Sequence, residues 1–274
     1  MGMQINNNLM ANNSLRNVNN TQDALSKSLE KLSSGLRINR AADDAAGLSI
    51  SEGLRSQVSG LAVAQRNTQD GISLIGVAEG ALTEVHTILH RQRDLAVQAG
   101  NDSNNTASRA AIKTESDALS AELTRIGNST NFNGTKLLNA ATALTFQVGA
   151  GSTAAEDTIT VNTVDVLAVG TATAALTFDT NVNALASIAA LDTQIANISA
   201  ARSGLGASQN RLESASRSLA VAHENIGAAE SRIRDTDMAA EMVNYTKANI
   251  LQQAGVSMLS QANQSGQAVL KLLG

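Results

Sequence analysis

Apolar residues recur three and four positions apart at both ends of the chain, and this period constrains the fold more than any other feature. Near the carboxyl end it runs without a break from Leu212 to Ile233. Near the amino end the positions at this spacing are Leu15, Val18, Gln22, Leu25, Leu29, Leu32 and Leu36. Such a repeat places apolar side chains along one stripe of an α-helix, as in a coiled-coil seam. Both ends are therefore predicted to be long amphipathic helices.

The residue types that are missing support the same interpretation. The 274 residues include no Pro, Cys or Trp, three Phe and one Tyr, although 43% are hydrophobic. An interior proline costs a helix about 3 kcal/mol, and large globular cores draw heavily on aromatic side chains. We therefore predict a mainly α fold, an elongated antiparallel coiled coil or helical bundle with a small β-hairpin segment.

Between the two ends, further helices are predicted. A second helical stretch stops at the turn residues Gly100–Asn105, and a third runs from Ser108 to Ile126. The short loop between them predicts antiparallel neighbours. From Asn183 the helical period returns and holds to the end. Gly204 and Gly206 stand where two registers fail to join, which predicts a local irregularity there.

The stretch from about 130 to 182 has a different character. It contains Phe132, Phe146 and Phe178, and Thr alternates with aliphatic residues in Thr158–Asn162, which predicts strands and a hairpin. No Lys or Arg occurs between Leu137 and Ala201. We expect this stretch to be a solvated acidic surface.

Several functional classes are disfavoured. Without Cys the chain has no disulfide and no thiolate ligand or nucleophile. The net charge is −4 and no basic stripe is present, which argues against nucleic-acid binding. No run approaches 18 apolar residues, so no membrane span is predicted. The amino end lacks the charged and apolar regions of a cleaved secretory signal.

No catalytic, cofactor-binding or metal-binding residue is predicted. His223-Glu224 begins like a zinc-protease motif, but Gly227 stands where the second histidine would be. Asp43 and Asp44 are adjacent and are interpreted as favouring the start of a helix. His86 and His90 lie one helical turn apart and allow two interpretations: a shared metal ion, or plain exposure, which we favour because no third ligand is near in sequence.

Neither terminal helix can form its own core, because isolated helices are marginal unless an amphipathic face packs against something. The first helix is therefore expected to pair with the last. Their many Ala, Asn and Gln residues bury little apolar area even when paired. We hypothesise that residues 1–40 and 235–274 are disordered in the free monomer and fold on assembly, while 45–230 stays folded.

Three motifs resemble one family. Leu32–Asn39, leading into Ala42–Leu48, is similar to the amino-terminal signature of bacterial flagellins. Ser231–Glu241 resembles the start of their carboxyl-terminal helix, and Phe132–Leu138 resembles their turn into the β segment. The family usually begins Met-x-Ile-Asn, which matches from Met3, so Met1-Gly2 is interpreted as an extension.

The resemblance implies a structural subunit, not an enzyme, that is exported unfolded through the flagellar type III channel and polymerises into an extracellular filament. It implies a D0 domain at 1–44 and 232–274, and a D1 domain at 45–231 with the β segment at about 130–182 and little or no outer domain. The residues expected to pack the terminal helices and mediate assembly are Leu15, Val18, Leu25, Leu29, Leu32, Leu36, Ile226, Ile233, Val243, Ile250, Met258 and Leu270.

The partners that it implies are further copies of the chain, an export chaperone on the carboxyl-terminal helix, the filament cap and junction proteins, and a Toll-like innate receptor. The receptor-contact candidates are Arg91, Leu95, Gln98 and Glu115; the same face is also expected to make contacts between subunits. Two alternatives stay open: a hook–filament junction protein of the same family, and a secreted receptor ligand whose polymerisation is secondary.

Overall fold

The computed structural model describes residues 8–273, with side chains as far as Gln264. Its described residues form seven α-helices and four short strands, which confirms the mainly α class. In chain order these are α1 (Leu9–Ser34), α2 (Ala45–Ala99), α3 (Thr106–Ser129), β1 (Asn131–Phe132), β2 (Thr135–Lys136), β3 (Ala143–Gln147), α4 (Ala154–Asp157), β4 (Thr158–Asn162), α5 (Val166–Ala174), α6 (Asn181–Arg234) and α7 (Met238–Leu273).

The chain divides into two compact units. Unit 1 comprises the residues up to Ser56 and those from Asn225 onward, and unit 2 runs from Gln57 to Glu224. The domain boundaries expected from the sequence, at 44/45 and 231/232, lie nearer to helix ends than the boundaries of these two units do, because α2 begins at Ala45 and α6 ends at Arg234. Those domain boundaries stay a prediction.

The core of unit 2 is a helical seam along α2 and α6. On α2, buried positions step three and four residues apart from Leu61 to Ala99. On α6, every seventh residue is buried, at Ala184, Leu191, Ile198, Leu205, Leu212 and Leu219. The helices are antiparallel, since Arg93 pairs with Asp192 at 2.6 Å and Arg202 pairs with Glu79 at 2.6 Å.

The irregularity predicted at Gly204 and Gly206 is wrong, because α6 is continuous there. Leu205 stands seven residues after Ile198 and seven before Leu212, so it joins the two registers. Both glycines are exposed, and a Cβ at either position would meet no atom within 4 Å. Each glycine therefore lowers the stability of α6 only through its low helix propensity.

A buried polar residue joins α2 to α3. Gln92 occupies a seam position, and its side-chain amide donates to the carbonyl oxygen of Ser116 at 3.1 Å and to Oγ of Ser120 at 2.9 Å. The small serines leave room for the longer amide, and the two hydrogen bonds offset the desolvation of its NH2 group, whereas its buried Oε1 has no hydrogen-bond partner. Nearer the connecting loop, Arg109 donates from Nε to the carbonyl oxygen of Ala99 at 3.1 Å, so α3 runs antiparallel to α2, as the short loop predicts.

The middle segment contains less strand than expected. Strands β1 and β2 form one hairpin, whose turn holds Asn133 and Gly134 at φ of 47° and 80°. Strands β3 and β4 pair antiparallel from Ala143–Asn162 to Gln147–Thr158. The β segment predicted to reach about 182 is wrong beyond β4, because Val166–Ala174 is the helix α5.

Packing explains α5. Asp165 caps its amino end by accepting from the backbone N–H of Ala168 at 2.9 Å. A Cβ on Gly170 would lie 2.6 Å from Oγ1 of Thr124, so α5 approaches α3 through a glycine. The β-branched residues that favour a strand locally are here the buried face of a helix.

One helix among the described residues, α2, is long and apolar enough to cross a membrane by length and composition alone. A third of its most apolar window, 33%, is buried inside the protein. A core helix packed against other helices meets the same criterion, and the apolar residues of α2 are largely those of the unit 2 seam. The helix is therefore weak evidence for a membrane span.

Candidate functional site

Helices α1 and α7 of unit 1 pack side by side and antiparallel. Asn8 near the start of α1 donates from Nδ2 to the carbonyl oxygen of Ala262 near the end of α7 at 3.0 Å. Ser28 near the end of α1 donates from Oγ to Oε1 of Glu241, in the first turn of α7, at 2.5 Å. The expected pairing of the two terminal helices is therefore present within one chain.

Small and polar residues form most of the seam between these helices. Its positions, at three- and four-residue steps, are buried or half-buried, and on α1 they are Ala11, Ser14, Val18, Thr21, Leu25, Ser28 and Leu32. On α7 they are Glu241, Tyr245, Ala248, Gln252, Gly255, Leu259 and Ala262. The helices approach closely, since a Cβ on Gly255 would lie 2.8 Å from Cγ2 of Val18.

The register predicted for the α1 seam is partly wrong. Val18, Leu25 and Leu32 face α7 as expected, but the seam passes through Ser14, Thr21 and Ser28 instead of Leu15 and Leu29. Gln22 is exposed at the edge of the seam, where its Oε1 accepts from Nε2 of Gln252 at 2.9 Å. Leu15 and Leu29 are 45% and 49% exposed, and Leu36 lies beyond the end of α1. The larger apolar residues are thus displaced by one position, about 100° around the helix.

The large apolar side chains of α1 and α7 are mostly exposed, and we call this set the outer face. Val243 and Ile250 are 67% and 60% exposed, seven residues apart and about opposite the α7 seam. The outer face comprises Leu9, Met10, Leu15, Leu29, Met238, Met242, Val243, Ile250, Leu251, Val256 and Met258. By contrast, the buried hydrophobic residues among those described in unit 1 are Ile38, Ala248 and Ala262.

A groove of about 820 Å³ runs along one side of the α1–α7 pair. Lys27 and Lys31 of α1 and Lys247 of α7 line it, with Glu241 as the acidic residue among its lining side chains. Leu251 and Met258 of the outer face also line the groove, so its surface is both basic and apolar.

A short two-stranded bridge follows α1 and α6. Gly35 ends α1 at φ of 74°, a left-handed conformation that favours glycine. The backbone N–H of Arg37 then donates to the carbonyl oxygen of Arg234 at 2.6 Å, and that of Thr236 donates to Gly35 at 2.9 Å. The two signature motifs of the sequence thus meet here, although they are about 200 residues apart.

Charged side chains strengthen this bridge. Arg37 donates from its guanidinium to the carbonyl oxygen of Ile233 at 2.6 Å. Arg234 pairs with Glu52 at 2.6 Å, and the arginine side chain is only 12% exposed. The predicted packing residues Ile226 and Ile233 are half-buried in the same region. The side chain of Leu270 and the residues Met1-Gly2 lie outside the described residues.

Asp43 and Asp44 stabilise the start of α2, as the sequence predicts. Asp44 accepts from the backbone N–H of Gly47 at 2.8 Å. Asp43 accepts from the N–H groups of Arg40 at 3.0 Å and Asn39 at 3.2 Å. These hydrogen bonds, led by the one from Arg40, hold the pKa of Asp43 below its ordinary value.

The receptor-contact candidates divide between the surface and the core of unit 2. Arg91 on α2 and Glu115 on α3 form an exposed ion pair at 2.6 Å, and Gln98 is exposed two turns after Arg91. Leu95 is 1% exposed and belongs to the unit 2 core. Its side chain offers no surface to a partner in this conformation, so the accessible candidates are Arg91, Gln98 and Glu115.

The three histidines of the chain lie on helices α2 and α6. His86 and His90 of α2 lie with their Nε2 atoms 2.9 Å apart. Desolvation, and then the neighbouring His90 and Arg202, lower the pKa of His86. His223 lies on α6, one turn before Gly227. The part of the chain that the structure describes contains no group of three His, Cys, Asp or Glu side chains arranged to hold a metal.

Comparison with known proteins gives a consistent result. The family described as the bacterial flagellin N-terminal helical region matches residues 5–143, and the bacterial flagellin C-terminal helical region matches 188–273. The chain is 52% identical to the flagellin of Halalkalibacterium halodurans over 272 residues, covering 99% of this chain and 100% of that protein. It is 45% identical to the flagellin of Bacillus subtilis strain 168, with the same coverage.

Solved structures show a related fold. The crystal structure of Bacillus cereus flagellin is 33% identical with a TM-score of 0.50, covering 56% of this chain and 88% of that one. A putative flagellar hook-associated protein from Vibrio parahaemolyticus has a TM-score of 0.58 and 16% identity, covering 70% of this chain and 100% of that one. At that identity the second likeness concerns the fold alone.

Proposed function

This chain belongs to the bacterial flagellins and is a structural subunit of the flagellar filament, and we propose that the outer face of α1 and α7 is the surface through which it polymerises. The observation that carries the proposal is the inverted distribution of side chains in unit 1. Small and polar residues lie between the helices, while large apolar residues lie outside.

The hydrophobic effect favours covering this face. Burying a Val, Leu, Ile or Met side chain that was exposed contributes about 1.5–3 kcal/mol before ordering costs. Exposed apolar patches of this extent mark interaction surfaces. Neighbouring copies of the same chain supply equivalent apolar faces, so each added subunit buries the outer faces of those around it.

The weak seam supports a coupling between folding and assembly. We propose that α1 and α7 are disordered in the free monomer and become ordered in the filament, because their pairing alone buries few large apolar side chains. Unit 2, whose seam consists largely of buried Leu, Ile, Val and Ala, stays folded in both states. Segments that cannot offset their ordering entropy alone fold when a partner completes the interface.

Limited trypsin digestion tests this coupling. In dilute monomer we expect rapid cleavage at Lys27, Lys31 and Lys247, leaving a core of about 45–230, because an unfolded segment exposes its backbone to protease. In filaments the same bonds are expected to resist. Arg66 and Arg211 in unit 2 are the internal controls and should be cut slowly in both states. If the terminal segments of dilute monomer resist cleavage as well as unit 2, the coupling is absent.

The path to the filament is also part of the proposal. The chain is exported unfolded through the flagellar type III channel to the extracellular filament, where cap and junction proteins contact its ends. A cytoplasmic chaperone covers α7 before export, because Met242, Val243 and Ile250 would otherwise promote early assembly. The absence of Cys, and hence of any disulfide to break, is compatible with passage as an unfolded chain.

A second candidate role, recognition by a Toll-like innate receptor, is favoured by the exposed pair Arg91–Glu115. Together with Gln98, the pair forms a polar surface that spans α2 and α3. The same surface is proposed to make subunit contacts in the filament. Recognition would then depend on free monomer, since both partners cannot occupy one surface.

Alanine substitution tests the receptor surface. Arg91→Ala and Glu115→Ala are each expected to weaken receptor activation by monomer roughly tenfold, as loss of a central charged contact does. Arg125 and Glu122 form a comparable exposed pair at 2.6 Å and serve as the matched control. Removing either pair should leave the stability of the monomer little changed, because exposed ion pairs contribute little. Equal receptor activation by both sets of variants would refute the assignment.

A further inference from the structure

The histidine pair of unit 2 has a geometry that the filament role does not use. His86 is half-buried, His90 is exposed, and their Nε2 atoms converge at 2.9 Å with ring centroids 4.5 Å apart and planes at 76°. Residues four apart on a helix lie one above the other, so the backbone already holds the two rings together. Little conformational freedom is left to lose when a ligand joins them.

The separation of the nitrogen atoms matches the bite of a chelate. Imidazole nitrogens bind first-row transition metals at about 2.0–2.1 Å. Two such bonds at a right angle place the nitrogens about 2.9 Å apart, whereas a tetrahedral angle places them about 3.3 Å apart. In the structure the 2.9 Å separation is that of a hydrogen bond between the two imidazoles, and a tetragonal or octahedral ion in place of the shared proton would keep this separation, whereas a tetrahedral ion would widen it. Tetragonal sites with nitrogen ligands are typical of Cu²⁺ and Ni²⁺.

We propose that His86 and His90 together bind one divalent transition-metal ion through their Nε2 atoms, with Cu²⁺ preferred over Ni²⁺ and Zn²⁺. The order follows the general affinity series for nitrogen ligands. Since no group of three candidate ligands is present among the described residues, water completes the coordination shell. The site is thus open on its solvent side and is not a closed structural centre.

The surroundings of the pair both favour the ion and limit its affinity. Desolvation of the ring lowers the pKa of His86, and metal binding requires the neutral imidazole. Its Nδ1 is buried and has no hydrogen-bond partner, however, so no acceptor orients the ring from behind. Lack of such a partner typically costs 10–100-fold in metal affinity. Binding is accordingly weaker than at a site with three protein ligands.

Copper titration of the purified full-length chain tests the proposal. Electron paramagnetic resonance of wild-type protein with one equivalent of Cu²⁺ is expected to show two equivalent imidazole nitrogens in the copper plane. His86→Ala and His90→Ala should each lose this signature and bind Cu²⁺ at least tenfold more weakly by calorimetric titration. His223→Ala removes one imidazole elsewhere and is the matched control, which should match wild type.

Folding of the variants is checked by far-UV circular dichroism, because His86 is half-buried and its removal could disturb the packing of α2. Ni²⁺ is expected to bind more weakly than Cu²⁺. Loss of Ni²⁺ binding in His86→Ala and His90→Ala would support chelation by the two histidines. Unchanged Cu²⁺ affinity and an unchanged spectrum in His86→Ala and His90→Ala would overturn it, because the ion would then bind elsewhere on the chain.

Discussion

Replacing Val243 and Ile250 with aspartate is expected to abolish seeded polymerisation of the purified chain. Both side chains belong to the outer face and are more than half exposed in the single chain. If neighbouring copies cover them, each aspartate must lose its hydration inside an apolar contact. Burial of an unpaired charge costs several kcal/mol, and the apolar contribution of each side chain is lost as well. The effect recurs in every subunit, so filament growth should stop.

Turbidity and electron microscopy after addition of filament seeds measure the result. A variant that lacks residues 235–274 gives the turbidity expected when polymerisation is completely lost. The double variant Val243→Ile, Ile250→Val keeps the face apolar and nearly conserves its volume, so it should polymerise at the wild-type rate. Circular dichroism of the monomers should be the same for all the point variants, because neither side chain packs in unit 1. Filaments of the aspartate variant at the wild-type critical concentration would rule out this face as the assembly surface.

Phe178→Ala is expected to lower the free energy of unfolding of unit 2 by about 3–5 kcal/mol. Phe178 is 1% exposed and is among the largest fully buried side chains among the described residues. It lies in the stretch without Lys or Arg, which the sequence suggests is only a solvated surface. Removing the ring leaves a cavity in the hydrophobic core of unit 2, which the surrounding residues can fill only by moving.

Denaturant titration followed by circular dichroism measures the change. Val182→Ala is the control, because Val182 lies four residues later, is 73% exposed and should change stability by less than about 0.5 kcal/mol. Contacts near Phe178 make its position specific: Arg109 donates to the carbonyl oxygen of Asp179 at 3.3 Å, and Ser187 donates to that of Thr177 at 2.9 Å. If Phe178→Ala lowers the free energy of unfolding no more than Val182→Ala does, this stretch lies on the surface of unit 2 and does not contribute to its core.

The helices could be predicted from the sequence, because the three- and four-residue period is a local property of the chain. Their pairing could be predicted because neither terminal helix can form a core alone. The α1 register shows where that reasoning stops. Leu15 and Leu29 are more apolar than Ser14 and Ser28, so hydrophobicity alone selects them for the seam. The close approach at Gly255 instead selects small residues for the intrachain contact. The leucines therefore lie on the outer face. The periodicity of one sequence gives no information about a second chain that could cover them.

Other differences between the sequence-based predictions and the structure also arise from tertiary packing. The residues of α5 favour a strand locally, but Gly170 allows a helix to pack closely against α3. Leu95 stands among surface residues in the sequence, but the seam of α2 turns it inward, whereas Arg91 and Glu115 stay exposed. The histidine spacing is readable in the sequence, but the 2.9 Å separation of the two nitrogens depends on side-chain rotamers that spacing does not set.

The amphipathic character of both ends of this chain can be read from the spacing of its apolar residues, and its motifs show which family it resembles. Which side of each terminal helix faces its partner, and which side is left for other copies, depends on how the helices pack. The reason is physical: a helix forms from interactions within a few residues, whereas the burial of a face depends on the surface that packs against it. In unit 2 that surface belongs to the same chain, and in unit 1 the outer face has none among the described residues.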